Sequence, residues 1–528
     1  MNAHFIPRKQ TGLFSEKQLL LSENQEQLAS FIGLPFSKEK FEKQIHLKSS
    51  SYPSIHRTIL VEELQIKYAF VPEDSSVFQQ IQLLKKDTTF TVTTGHQLSL
   101  LTGPLYFILK IAHVIKLCKE LKAFYPQYDF VPVYWMASED HDFDEIKSLK
   151  IFGKDLTWNK EASGAVGRLN LDGFDEVKQQ FQSFFESHPA SEIHALLTNF
   201  QDEATYGEAF FQFIHTLFEQ EGLVILDGDN AVLKQSFSPV FEKEIQEQFS
   251  FKRVVETSKS LEEKGFKIQV NPREINLFYL NENKRERLIQ NDNGFIAGDK
   301  QFSESEVLAE IHSNPENFSP NVVLRPLYQE WILPNLAYIG GLGELNYWLQ
   351  LKEVFDDVSI PYPIIQPRTS ALWLDTVSQK KWEQLSLQNE QLFESIHVVK
   401  KNYLASHEED SIDFQLLDFQ LENLITEWQK KANDTDPSLS NWVNAEWVRI
   451  SKQTDVMKQK MEKAVKSKHE KALKTIEQVK EKLFPDGGLH ERSVNFFQFC
   501  PDGNYTQRIQ HLIEIMKPFS SDFIILQD

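Results

Sequence analysis

Four short apolar runs constrain this chain more than any other feature. They lie at 89–94, 130–136, 223–226 and 337–339, and each ends in a polar or glycine turn. Gly95 follows the first, an acidic cluster the second, Asp227-Gly-Asp229 the third and Gly340-Gly341 the fourth. Helical patterns separate them. After Gly103-Pro104, Leu105, Ile108, Leu109, Ala112, Ile115 and Leu121 recur at helical spacing, and another amphipathic stretch runs to Phe355. Short buried-type strands alternating with helices predict an α/β fold with a mostly parallel sheet. Such sheets bind ligands at the carboxyl ends of their strands, so the residues just after each run are the first functional candidates. Polar, Phe-rich sequence near 150–220 and short strand-like pieces near 255–315 (266–270, 276–280 and 294–297) read as insertions on that sheet.

A change of character follows Gln366-Pro-Arg368. Glycine is absent from 369 through 486, and helices are expected at 370–405, 413–432 and 445–484. In the last of these, Ile450, Met457 and Ala464 recur at seven. Val465, Ala472 and Val479 then do so after a phase shift, with Ile476 and Leu483 between them, a coiled-coil seam. Residues 446–484 carry 11 Lys/Arg against 6 Asp/Glu. Lysines alternating with glutamates, and few aromatics, favour a solvated face that packs internally or forms a dimer over a nucleic-acid arm. The expected order is core at 1–150, insertion at 151–220, core at 221–254, insertion at 255–318 and core at 319–369. A helical coiled-coil domain at 370–485 and a segment returning to the core at 486–528 complete it.

Charge and cysteine content narrow the function. The 528 residues hold 56 Lys/Arg and 76 Asp/Glu, a net charge of −20 that opposes a broad nucleic-acid or membrane surface. The only cysteines, Cys118 and Cys500, sit in apolar sequence, which fits a reducing compartment and excludes a disulfide framework. No continuous apolar segment resembles a signal peptide or bilayer span, so a cytoplasmic location is expected.

Three constellations follow the strands. The first is 94–106, with Gly95, His96, Gln97 and Tyr106, and Lys110 one helical turn on. A strand, a glycine turn and a helix start suit an anion, although no Walker A lysine follows. The simpler alternative makes His96 a satisfied turn residue and Lys110 a solvated charge. The second is Glu139, Asp140, His141, Asp142, Asp144 and Glu145, a dense set suited to Mg²⁺ or a substrate ammonium. Asp142 and Glu145 also form a capping-box pattern, but one cap does not account for Glu139, Asp140 and His141. No ligand set for a resident metal is assigned. In the third, Pro326 at a first helical position puts Arg325 at the helix mouth with Gln329 a turn later. Gly340, Gly341 and Gly343 then permit close approach before Glu344, Tyr347 and Trp348. Packing alone would also explain the two aromatics.

These residues, with His490-Glu-Arg492 and Asn495, occur in the order seen in the BshC family, which the chain resembles over nearly its whole length. The resemblance implies the cysteine-adding step of bacillithiol biosynthesis, in which the cysteine carboxylate joins the amine of glucosaminyl-malate. It also implies a Rossmann-type core similar to class I cysteinyl-tRNA synthetases, with two connecting-peptide insertions and a coiled coil that makes a homodimer.

Amide formation from a carboxylate needs activation, most simply by ATP or another nucleotide. The site then needs donors for phosphates, a carboxylate for the cysteine ammonium and a base for the attacking amine. Lys110, Arg325 and the glycine turn suit the first need, Asp140, Asp142 or Glu344 the second, and His141 or His96 the third. Arg492 and Asn495 suggest a second, nucleotide-accepting pocket, with a buried Glu491–Arg492 pair as the alternative. Two other classes remain open: an amino-acid-activating enzyme or nucleotidyltransferase with another substrate, and a noncatalytic coiled-coil scaffold.

Overall fold

The computed structural model describes residues 2–189, 191–201, 203–281, 284–407 and 413–528, without the side chains of 462, 465, 466 and 468. The chain divides into two compact units, one of residues 1–373 with 489–526, the other of 374–488 with the last two residues.

The first unit is built on a five-stranded sheet. Its strands are β1 (Thr89–His96), β2 (Asp129–Met136), β3 (Val224–Asp227), β4 (Asn335–Gly340) and β5 (Ile364–Pro367). They lie in the order β3-β2-β1-β4-β5, with every neighbouring pair parallel. The four strands read from sequence are present, and β5 joins them at the edge. The helix Tyr106–Phe124 links β1 to β2, and twelve of its residues are buried, including Lys110 and His113. Both sheet faces are covered, because Phe90, Val92, Leu336 and Ile339 pack in one apolar cluster while Val131, Val133 and Trp135 pack in another. That is why these strands read as continuous apolar runs rather than alternating ones. The order reverses between β1 and β4, and a crevice opens beyond their carboxyl ends, where doubly wound sheets bind ligands.

Three expectations about elements fail, the first in the stretch to Phe355, which forms two short helices, Leu342–Trp348 and Lys352–Asp357, rather than one. Residues 266–270 form no strand; the Gln350 Oε1 accepts the N–H groups of Gln269 and Val270 (3.3 and 3.1 Å), and its Nε2 donates to the Val270 carbonyl (2.8 Å). A side-chain amide thus replaces a neighbouring strand. Residues 370–405 are not one helix. Strand Ala371–Leu374 comes first, Asp375 caps the helix Thr376–Gln384, Ser386 turns the chain with φ +55°, and Ser395 caps Ile396–Ala405. Side-chain caps begin these two helices and one left-handed residue follows the end of the first, all without glycine.

In the second unit, Gln415–Thr435 and the 45-residue Leu439–Leu483 form a helical hairpin. Ile425, Ala432 and Val443 pack between them. The heptad seam divides: Ala472, Ile476, Val479 and Leu483 are buried, while Ile450 and Met457 are exposed and the side chain of Val465 lies outside the described residues. No helix among the described residues is long and apolar enough to cross a membrane.

Candidate active site

A cleft of about 890 Å³ occupies the crevice, lined by residues from β1, β2, β4 and the segments after them, from 271–287, and by Arg368 and Arg492. Its centre is a polar knot at the switch point. The Tyr338 hydroxyl on β4 accepts the Gly95 N–H of β1 (3.2 Å) and donates to Glu344 Oε1. Lys110 donates to the Gly95 carbonyl and to Glu344 Oε2, both at 2.7 Å, and Glu344 Oε2 also accepts the Gly341 N–H (3.1 Å). Gly95 packs closely: a Cβ there would stand 3.0 Å from the Tyr338 oxygen, which would have to give by a few tenths of an ångström. Gly340 is also close-packed, since a Cβ would lie 2.7 Å from Leu345 Cδ2 and that side chain would have to shift. Burial opposes the Glu344 charge, but Lys110 and the hydrogen bonds from Lys110 and Tyr338 outweigh it and hold the carboxyl below its ordinary range. Lys110 is buried and spent on this knot rather than solvated, and burial lowers its pKa against the pull of Glu344.

Arg325 completes this wall. Its guanidinium donates to Gln329 Oε1 (3.2 Å) and Tyr347 Oη (3.4 Å) and lies 5.8 Å from the Tyr338 ring centre. Trp348 stacks beneath Tyr338 at 4.3 Å. Trp348 and Gln329 are therefore buried supports that do not line the cleft. Gly341 and Gly343 do line it, and a Cβ on either would meet nothing within 4 Å.

The acidic segment after β2 divides between cleft and cap. Asp140 lines the cleft, accepts Gln97 Nε2 (2.6 Å) and the His141 N–H (2.7 Å), and keeps its carboxyl below the usual range although burial opposes it. Gln97 also donates to Glu145 Oε2 (3.1 Å), which brings both carboxylates to one wall. Asp142 faces solvent and accepts the Glu145 N–H as the cap of Phe143–Ile146. His141 is exposed beside Arg285, with Nδ1 3.2 Å from Nη1. Glu139 is held by the buried Lys234 (2.6 Å), which also binds Asp229 (2.9 Å). Burial and Asp229 raise the Glu139 pKa in spite of Lys234. Burial also opposes the Asp229 charge, but Lys234 and Arg168 outweigh it and hold that carboxyl at about 2.

His96 has both ring nitrogens engaged. Nδ1 donates to the Gln97 carbonyl (2.9 Å), and Nε2 accepts from the Tyr106 hydroxyl (3.0 Å). Burial and Lys110 push its pKa down to about 4, so the ring is neutral. The C-terminal segment also reaches the first unit's core, with partners other than those expected. Glu491 pairs with Arg368 (2.6 and 3.0 Å), not with Arg492, and Arg492 lines the cleft. Asn495 is fully buried; its amide donates to the carbonyls of Leu101 and Gly103 and to the Thr102 hydroxyl. Leu101 and Thr102 have φ of +44° and +76°, so Asn495 pins a left-handed turn and has no donor left for a base edge.

Three cleft arginines carry no sequence motif: Arg273, Arg285 and Arg287. The one available signal was Lys-Arg-Glu-Arg at 284–287, where alternate residues share a strand face. Both cysteines are buried, and burial pushes the Cys118 thiol upward, so neither is placed as a nucleophile. Among the described residues, no group of three or more His, Cys, Asp or Glu is arranged to hold a metal ion.

The fold and cleft thus define a Rossmann-like α/β protein with a mixed-charge cleft at the switch point of its parallel sheet. Residues 1–369 match the N-terminal Rossmann-like domain of bacillithiol-biosynthesis BshC, and 371–527 match its C-terminal coiled-coil domain. The chain belongs to the BshC family. A Flavobacterium johnsoniae protein named "Putative cysteine ligase BshC" is 41% identical, covering 92% of each chain. Proteins of the same name from Flavobacterium psychrophilum and Bacillus cereus are 38% and 31% identical, covering 99% of both chains and 80% and 81%, respectively.

Proposed function

We propose that this protein is a ligase that joins the carboxylate of L-cysteine to the amine of glucosaminyl-malate, forming bacillithiol with the help of a nucleotide. The observation that carries this reading is the placement of anionic and cationic walls at one switch-point cleft. Asp140 and Glu145 stand beside Gln97, while Arg325 and Arg492 border the same cavity. An amino acid needs both signs: Asp140 and Glu145 offer acceptors for its ammonium, and the arginines offer donors for anionic oxygens. The cavity also falls within the size range of small-molecule and cofactor sites.

The donor set fits a nucleotide. The Arg492 side chain has no protein hydrogen bond or ion pair among the described residues, and Gly341 and Gly343 leave room for close approach. A bound nucleoside triphosphate would supply the activation that converts the cysteine carboxylate into an acylating group. Around it, Lys110 and Glu344 fix the Gly95 and Gly341 backbones, and Arg325 is held ready for developing negative charge. Neutral His96 fixes Tyr106 on the cleft wall. His141 does not line the cleft but adjoins Asp140, which does, and it is exposed, so it is the histidine assigned to take a proton from the attacking amine. The exposed apolar side chains of the helical hairpin support a homodimer through the coiled coil.

The test is incubation of purified protein with cysteine, glucosaminyl-malate and ATP, followed by mass spectrometry of the thiol product. Bacillithiol formed only with all three supports the reading. No product under any nucleotide supply rejects the ligase assignment, and product without nucleotide rejects the activation step.

A further inference from the structure

The cleft's cations fall into two groups. Lys110, Arg285, Arg325 and Arg368 are occupied by the protein: Lys110 by Glu344, Arg325 by Gln329 and Tyr347, and Arg368 by Glu491. Arg285 donates to Ser319 Oγ (3.1 Å) and the Pro320 carbonyl (3.2 Å), and lies 4.0 Å from the Phe278 ring centre. Arg273, Arg287 and Arg492 have no side-chain hydrogen bond or ion pair among the described residues. In a chain of net charge −20, three guanidinium groups on one cavity with no partner among the described residues are a local reserve for anions.

Two of the three belong to one insertion and are rigidly presented. Arg287 lies on strand Lys284–Arg287, opposite Phe278 and two residues beyond the anchored Arg285, so both arginines share a face. The Arg273 N–H donates to Asn276 Oδ1 (3.0 Å), and its carbonyl accepts Asn276 Nδ2 (2.8 Å). Asn276 is itself buried and bonded to Glu244 and Ser250. Both backbones are therefore fixed while both guanidinium groups remain available. Arg492 belongs elsewhere, bordering Tyr106 and a smaller neighbouring hollow that also includes Pro104, Ser148 and Lys150.

We propose that Arg273 and Arg287 are specificity-determining residues that hold the two carboxylates of the malyl group, so that this insertion selects amines carrying a dicarboxylate. This rests on the proposed ligase function. Two forks on separate segments suit two separate planar carboxylates, each able to accept a bidentate pair. Asp140 and Glu145 provide for the cysteine ammonium, so the two substrates are sorted by charge. The malyl contacts are remote from the reacting amine and serve to position it.

The experiment compares wild type with Arg273→Met, Arg287→Met, the double variant and Arg287→Lys, each checked by thermal melting. KM for glucosaminyl-malate should rise at least tenfold in each Met variant and less in Arg287→Lys. KM for cysteine and ATP, and kcat/KM for methyl glucosaminide, which lacks the malyl group, should hold. A rise in KM for ATP instead would assign these arginines to phosphate and overturn the proposal, as would an unchanged KM for glucosaminyl-malate. Calorimetry with free L-malate and with inorganic phosphate reads the site without turnover. Malate binding that weakens in the Met variants supports the proposal even if wild type forms no product, a result that sinks only the ligase reading. Malate binding that is absent, or equal in all variants, overturns it, as does preferential loss of phosphate binding.

Discussion

Lys110 shows how one buried side chain serves both stability and site geometry. It is fixed to Glu344 and the Gly95 carbonyl, and a buried charge that loses its partner is costly. Glu344→Gln should therefore cost about 3–5 kcal/mol in urea unfolding, the usual range for breaking a buried pair. The paired change Lys110→Met/Glu344→Leu should recover most of that stability without recovering activity. A loss under about 1 kcal/mol for Glu344→Gln would show that the pair is well solvated. His113 gives a pH signature. Its Nδ1 accepts the Thr369 N–H (3.1 Å) and hydroxyl (2.9 Å), and burial, then Arg8 and Arg368, lowers its pKa to about 3. The unfolded imidazole takes a proton near pH 6.5, whereas the folded one does not until far lower. Its stability contribution is therefore complete above pH 6.5 and declines as pH falls toward 3, by about 1.4 kcal/mol per unit well inside that window. Stability curves from pH 6.5 to 5 should be shallower for His113→Asn than for wild type. Equal slopes would mean that His113 protonates as readily in the folded chain.

At the scale of elements, legibility depended on whether a segment's partner was local or distant. β1 to β4 were readable because burial on both faces makes an unbroken apolar run, and their turn residues stand beside them in sequence. β5, only four residues long and ending in Pro367, gave no such run; its place depends on pairing with β4. Gly95, Gln97, Asp140 and Glu344 were legible because they stand at, or within four residues of, the carboxyl ends of strands. Arg273 and Arg287 were not, because their place on the cleft comes from how an insertion folds rather than from a motif. Asn495 had a readable position and a misleading side chain: Asn suits a ligand edge and a turn clamp equally well. Its clamp should make Asn495→Ala cost about 3 kcal/mol, roughly one for each of the two amide N–H donors and one for the Phe497 N–H that its oxygen accepts. Thermal or urea unfolding measures this. Unchanged stability with weakened nucleotide binding would instead return Asn495 to a ligand role.

Across the whole molecule, the helical unit carries apolar side chains that its own fold leaves uncovered: Leu416, Phe419, Trp428, Trp442, Ile450 and Met457. Large exposed apolar groups on one hairpin are a signature of association. Light scattering should give twice the 61.5 kDa chain mass at micromolar concentration, and Trp428→Lys with Trp442→Lys should shift it toward the monomer. A wild-type monomer would refute a coiled-coil dimer. The central claim concerns the other unit: that the switch-point cleft, with Asp140 on its wall, is where cysteine meets the amine. The most direct measurement is the rate of bacillithiol formation by Asp140→Asn, beside its melting temperature. The expected result is at least a tenfold fall in kcat/KM, about 1.4 kcal/mol of barrier, with little change in melting. A folded variant that forms product at the wild-type rate would leave Asp140 as a turn residue and contradict the site.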